Sequence, residues 1–143
     1  MSEERKFSIG LELLQNYEFR IDFGLDGVEH LLVDEPPPVG EGKGPNATML
    51  VLAAVGNCLS ASLAFCLRRS RVDVKGLKTE VEGTLAQNEE GRWRIKQILV
   101  KLHPMVDEVG GSQLQRCIEI FEQYCVATQS VRRGIDVQVE GVR

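Results

Sequence analysis

Between Lys43 and Arg68 the chain carries no charged residue. From Asn46, a residue type that caps helix N-termini, to about Arg69, the run NATMLVLAAVGNCLSASLAFCLRR reads as one long helix. An uncharged run of this length belongs either in a membrane or inside a protein, buried nearly all round. Thr48, Gly56, Asn57, Ser60 and Ser62 dilute it, and amphipathic segments flank it on both sides, which favours the buried helix. Such a helix is roughly 36 Å long. That is close to the full diameter of a domain of 143 residues, whose radius of gyration should be about 14–15 Å. One chain covers one face of it, so a second copy is expected on the other.

The rest of the chain alternates. Residues 7–14 (FSIGLELL) and 17–23 (YEFRIDF) have a period of two; in the second, Tyr17, Phe19, Ile21 and Phe23 face one way and Glu18, Arg20 and Asp22 the other. Gln15-Asn16 leaves room for a tight hairpin, and Val28 to Val33 reads as a third strand. Asp34 to Pro45, rich in proline and glycine, is a loop, and its glycines fit neither common phosphate-binding spacing, so no nucleotide site is expected. After the helix, Leu77–Ala86 and Arg92–Leu102 form a hairpin about an Asn-Glu-Glu-Gly turn, with an apolar register shift between Ile95 and Ile98 that a bulge would produce. Pro104 to Gly111 reads as a loop. From Ser112, a second, amphipathic helix carries Leu114, Cys117, Ile118, Phe121, Tyr124 and Cys125 at helical spacing, and Ile135, Val137 and Val139 alternate in a last strand. The expected fold is α+β, in the order βββαββαβ, a single domain over residues 1–143 with antiparallel sheets on a long buried central helix and a second helix.

Composition excludes several roles. The chain has 21 acidic and 17 basic residues, net −4, and the basic ones are scattered, so no nucleic-acid partner is expected. The N-terminal Met-Ser-Glu-Glu-Arg-Lys-Phe is charged with no apolar run behind it, so a cytoplasmic location is expected, with no membrane partner. In that reducing setting four cysteines should not form a structural disulfide framework. No C-x-x-C is present, so neither a metal site nor a thioredoxin-type motif is expected.

The cysteines therefore need another explanation. Cys58 and Cys66 are eight residues apart on one helix, as are Cys117 and Cys125 on the other, about 80° around each axis, so a reactive pair should come from different helices. Cys66 and Cys117 sit among large apolar residues and read as small buried hydrophobes. Cys58, after Gly56-Asn57 and before Ser60, and Cys125, before Thr128-Gln129-Ser130, have small or polar neighbours that leave room for a substrate. A free thiol has a pKa near ~8.5 and needs it lowered to act as a nucleophile. Cys58 lies about three turns into its own helix, beyond the reach of its dipole. The candidate cations are Arg20, Lys43, Arg132 and Arg133.

Residues 44–59 (GPNATMLVLAAVGNCL) resemble the central-helix signature of the osmotically inducible protein C and organic hydroperoxide resistance (OsmC/Ohr) family, and Tyr124-Cys125-Val126 through Ser130-Val131 resembles its second cysteine segment. The element order agrees along essentially the whole chain. The resemblance implies an OsmC-like fold, an intertwined homodimer with its site at the subunit interface, and a thiol-dependent peroxidase. In such an enzyme Cys58 attacks an organic hydroperoxide, becomes a sulfenic acid and is resolved by Cys125 as a disulfide. No cofactor is implied; a lipoylated or other dithiol protein would be the reductant. The family's catalytic arginine has its nearest match in Arg20. Its glutamate falls where this chain has Thr48 and Met49, leaving Glu41 as a substitute, and the proline after the second cysteine is Val126. The alternative is a dimeric binding or redox-sensing protein of the same fold with an apolar interfacial pocket.

Overall fold

The computed structural model describes residues 3–107 and 111–142. Its contacts divide it into two units, Met1–Leu50 and Val51–Arg143.

In the first unit β1 (Gly10–Gln15), β2 (Glu18–Asp22) and β3 (Leu31–Val33) form an antiparallel sheet in that order. Asn16 turns the hairpin with a φ of 50°, and the register shifts between Leu13 and Gln15. The alternation expected for the second strand therefore holds only in part. Ile21 is buried and Phe19 half-buried, but Tyr17 is exposed and Glu18 is buried in its place. The buried carboxylate is not left alone: Lys43 Nζ lies 3.1 Å from Glu18 and 3.0 Å from Glu41. The glycine- and proline-rich loop wraps around Asp34, whose buried carboxylate accepts the N–H groups of Glu35 at 2.8 Å, Lys43 at 3.1 Å and Glu41 at 3.3 Å. Burial pushes the Asp34 pKa up, but these three bonds and the Lys43 charge outweigh it and hold the group below the ordinary carboxylate value. Asn46 caps the central helix as its residue type suggests, its Oδ1 accepting the Met49 N–H at 3.0 Å.

That helix, α1 (Ala47–Arg69), runs into the second unit, where β4 (Val74–Gln87) and β5 (Trp93–Val106) pair as an antiparallel hairpin. Val55, Leu59, Leu63 and Leu67 form a buried stripe with a repeat of four, packed with Val72, Cys117, Phe121 and Cys125. Two glycines bring helix and hairpin together. A Cβ on Gly56 would meet Val81 Cγ2 at 2.5 Å, and one on Gly83 would meet Leu52 Cδ2 at 2.7 Å. Ser60 Oγ, 2.6 Å from Thr79 Oγ1, adds a polar clasp at the same crossing. The bulge is where the apolar pattern puts it: Thr84 pairs with Gln97 and Leu85 with Ile95, so Lys96 is the extra residue.

Four expectations are corrected. α1 is not buried all round within one chain: Ala53, Ala54, Asn57, Ala61 and Phe65 are exposed, although the helix is long and apolar enough to cross a membrane by length and composition. Pro104 is not in a loop but in β5, opposite Leu77. A two-stranded hairpin leaves both edges open, and proline is admitted at an edge. The remainder of that loop, at 108–110, lies outside the described residues. The second helix is not continuous and is not capped by Ser112: α2 (Gly111–Ile120) passes through a 3₁₀ turn (Phe121–Tyr124), then breaks at Cys125, and α3 (Val126–Arg133) follows. Finally, no strand forms after Gly134. Ile135, Val137 and Val139 alternate as expected, but they are 64%, 75% and 88% exposed and pair with no neighbour. A strand is made by the row of partners beside it, and this chain supplies none.

Candidate functional site

The break at Cys125 builds the site. Cys125 takes an extended conformation (φ −83°, ψ 105°), and α3 starts at the next residue, so the unpaired N–H groups of its first turn gather beside it. Cys58, half-buried on α1, lies in front of them: the Ala127 N–H donates to Cys58 Sγ at 3.4 Å. Burial alone would raise the Cys58 pKa. Hydrogen bonds from the Cys125 thiol and from the N–H groups of Ala127, Thr128 and Val126 outweigh it, and the thiol is held below its ordinary value.

Cys125 is shifted the other way. It is fully buried, and burial, followed by its hydrogen bond to Cys58, pushes its pKa up against the opposing pull of Thr128. The Thr128 hydroxyl, itself buried, is 3.0 Å from Cys125 Sγ. Two neighbouring thiols with pKa values driven apart can divide the work of a nucleophile and a proton-bearing partner. α3 is held in place by its own contacts to the 3₁₀ turn: Gln129 Nε2 donates to the Glu122 carbonyl at 3.0 Å, and the Arg132 guanidinium sits 3.3 Å from the Glu122 carboxylate.

The profile described as "OsmC-like protein" matches residues 40–140. The chain belongs to the OsmC-like family. Solved structures share the fold: an OsmC-like protein of unknown function from Vibrio cholerae, 14% identical, superposes with a TM-score of 0.76 over 89% of this chain and 94% of its own. An organic hydroperoxide resistance protein from Legionella pneumophila, described as a predicted redox protein, is 15% identical with a TM-score of 0.64 over 92% of both chains. An organic hydroperoxide resistance protein from Elizabethkingia anophelis, with thiocyanate bound, is 18% identical with a TM-score of 0.64 over 91% of both chains. No curated protein matches by sequence.

Of the residues expected to form the site, Cys58 and Cys125 are brought together, their thiols close enough to hydrogen-bond. Arg20 belongs to the first unit, where its guanidinium is 3.5 Å from Glu12 on the adjacent strand. Glu41 is paired with Lys43, and Arg132 with Glu122. The activating groups missed by the sequence reading are the N–H groups of residues 126–128. The helical spacing of Leu114 to Cys125 runs unbroken into α3, with no glycine, proline or capping residue to mark the new start.

Cys66 and Cys117 are not two separate buried hydrophobes. They form a disulfide between α1 and α2, with Cα atoms 5.8 Å apart. α1 thus gives one cysteine to each pair; Cys117 on α2 and Cys125 at the break before α3 give the others. A cavity of 410 Å³ is bounded by Leu59, Ile98, Val100, Thr128, Val131 and Arg132, on the Thr128 side of the Cys58–Cys125 pair. Among the described residues no cluster of three or more His, Cys, Asp or Glu side chains is placed to hold a metal ion.

Proposed function

We propose that this protein is a thiol-dependent peroxidase acting on organic hydroperoxides, with Cys58 as the attacking and Cys125 as the resolving cysteine. The observation that carries this reading is the pair itself: a lowered Cys58 thiol under the N-terminus of α3, touching a raised Cys125 thiol. The Cys58 thiolate attacks the terminal oxygen of ROOH; the O–O bond breaks, ROH leaves with a proton, and Cys58 becomes a sulfenic acid. Cys125 then attacks the Cys58 sulfur, water leaves, and a disulfide forms. An external dithiol returns both thiols. Arg20, paired with Glu12, is the proposed supporting arginine.

The single-domain reading over 1–143 is kept, with a homodimer as its working form. Two observations support the second copy: the exposed apolar face of α1 at Ala54, Ala61 and Phe65, and the unpaired alternating segment after Gly134. A cytoplasmic location supplies the dithiols. In a cumene hydroperoxide assay with excess dithiol, Cys58→Ser should abolish turnover, while Cys66→Ser should cost mainly stability. Turnover retained by Cys58→Ser would reject the assignment.

A further inference from the structure

We propose that Gln129 and Arg132 are positioning residues for Cys58: they clamp α3 onto Glu122 and so keep the N–H groups of residues 126–128 aimed at its sulfur. The break at Cys125 calls for such a clamp. No side chain caps the new helix, and at eight residues it is too short to hold its own direction. Gln129 and Arg132, three residues apart, share one face of α3 and reach back over the break to the same residue. Gln129 Nε2 donates to the Glu122 carbonyl at 3.0 Å, and Arg132 Nη1 and Nη2 both donate to one Glu122 carboxylate oxygen at 3.3 Å. The same carbonyl accepts the Cys125 N–H at 3.2 Å. One Glu122 thus ties the break residue and both turns of α3 together.

The Glu122–Arg132 pair is half exposed, and such pairs add little to stability. Direction is what they supply here. The Ala127 N–H meets Cys58 Sγ at 3.4 Å, and a hydrogen bond weakens steeply as it bends. The N–H groups of residues 126–128 belong to one turn and move together, so a tilt that costs the fold little takes all of them off the sulfur. Arg132 was a candidate to act on Cys58 by its charge; paired with Glu122, it acts through α3 instead. Lys96 of β5 is the third charge on the cavity wall that Glu122 and Arg132 share. The inference deepens the peroxidase reading, and its consequence for turnover rests on that reading.

Charge and position predict opposite signs at Glu122. Removing a carboxylate favours a nearby thiolate, whereas releasing α3 disfavours it. The test is the pH profile of Cys58 alkylation by iodoacetamide in the full-length protein, reduced and then freed of reductant. Peptide mass spectrometry identifies the labelled cysteine, and near-ultraviolet circular dichroism checks the fold. Glu122→Ala, Gln129→Ala and Arg132→Met should each raise the Cys58 midpoint by about half a pH unit, about a threefold loss of thiolate below the midpoint. Glu122→Gln, which keeps an oxygen for Arg132, should recover most of that shift. Should Glu122→Ala fail to fold, Gln129→Ala gives the same readout with no change of charge. A midpoint lowered by Glu122→Ala, or unmoved by Gln129→Ala, would overturn the proposal. These shifts in a protein that consumes no cumene hydroperoxide would sink the peroxidase reading and leave the clamp standing.

Discussion

The Cys58 thiol is held below its ordinary pKa by what surrounds its sulfur after folding, not by what stands beside it in the chain. Three backbone N–H groups and one thiol converge on it and outweigh the cost of its partial burial. The thiolate is the reacting form, so the rate of alkylation by iodoacetamide should rise with pH through a midpoint below the ~8.5 of an ordinary thiol. Cys125 is expected to stay protonated over the same range. The Thr128 side chain acts on Cys125, through its hydroxyl at 3.0 Å, while its backbone N–H faces Cys58. Thr128→Val keeps the volume and removes one hydrogen bond, a loss of about 1 kcal/mol. The sulfenic acid on Cys58, trapped with dimedone, should then last about five times longer, with the alkylation midpoint unmoved; an unchanged lifetime would show that Thr128 serves packing alone. The proposed pair, Cys58 and Cys125, was singled out by its small and polar neighbours. Their activation was not, because backbone N–H groups leave no trace in a residue pattern.

At the level of elements, α1 and the β4–β5 hairpin carry the site by lying close to one another. Gly56 and Gly83 set that distance, since a Cβ at either would run into Val81 or Leu52. Gly56→Ala should therefore destabilise the protein by about 1–3 kcal/mol, measured as a lower urea midpoint with an unchanged slope, even though alanine is the better helix former. A gain in stability would mean that the helix has room to move. The hairpin and its bulge at Lys96 could be read from alternation and its interruption, because each apolar residue in a half-buried strand reports its face. The break at Cys125 could not, because Phe121 and Cys125 keep to the buried side across it. The spacing of the cysteines put any reactive pair on different helices, but gave no sign that Cys66 and Cys117 would bond.

On the scale of the whole molecule, the sequence carries a helix too long and too apolar for one chain to cover, and the structure leaves it half covered. The uncovered face and the unpaired residues 135–139 both leave apolar surface open, and the proposed second copy would cover both. Light scattering should report a dimer at micromolar concentration, and deletion of residues 135–143 should weaken it; a stable monomer would remove that part of the account. A strand completed by another chain shows in the sequence as a strand and in the single chain as an exposed tail. On the proposed dimer, the last element is legible as a pattern in the sequence and absent as structure in the single chain. Membership of the OsmC-like family rests on the matched residues 40–140 and on folds shared at low identity, which leave the chemistry to experiment. The most direct measurement is peptide mass spectrometry of the reduced protein after one equivalent of cumene hydroperoxide. The account predicts a Cys58–Cys125 disulfide with the peroxide consumed; intact peroxide with Cys58 and Cys125 both recovered as free thiols would contradict it.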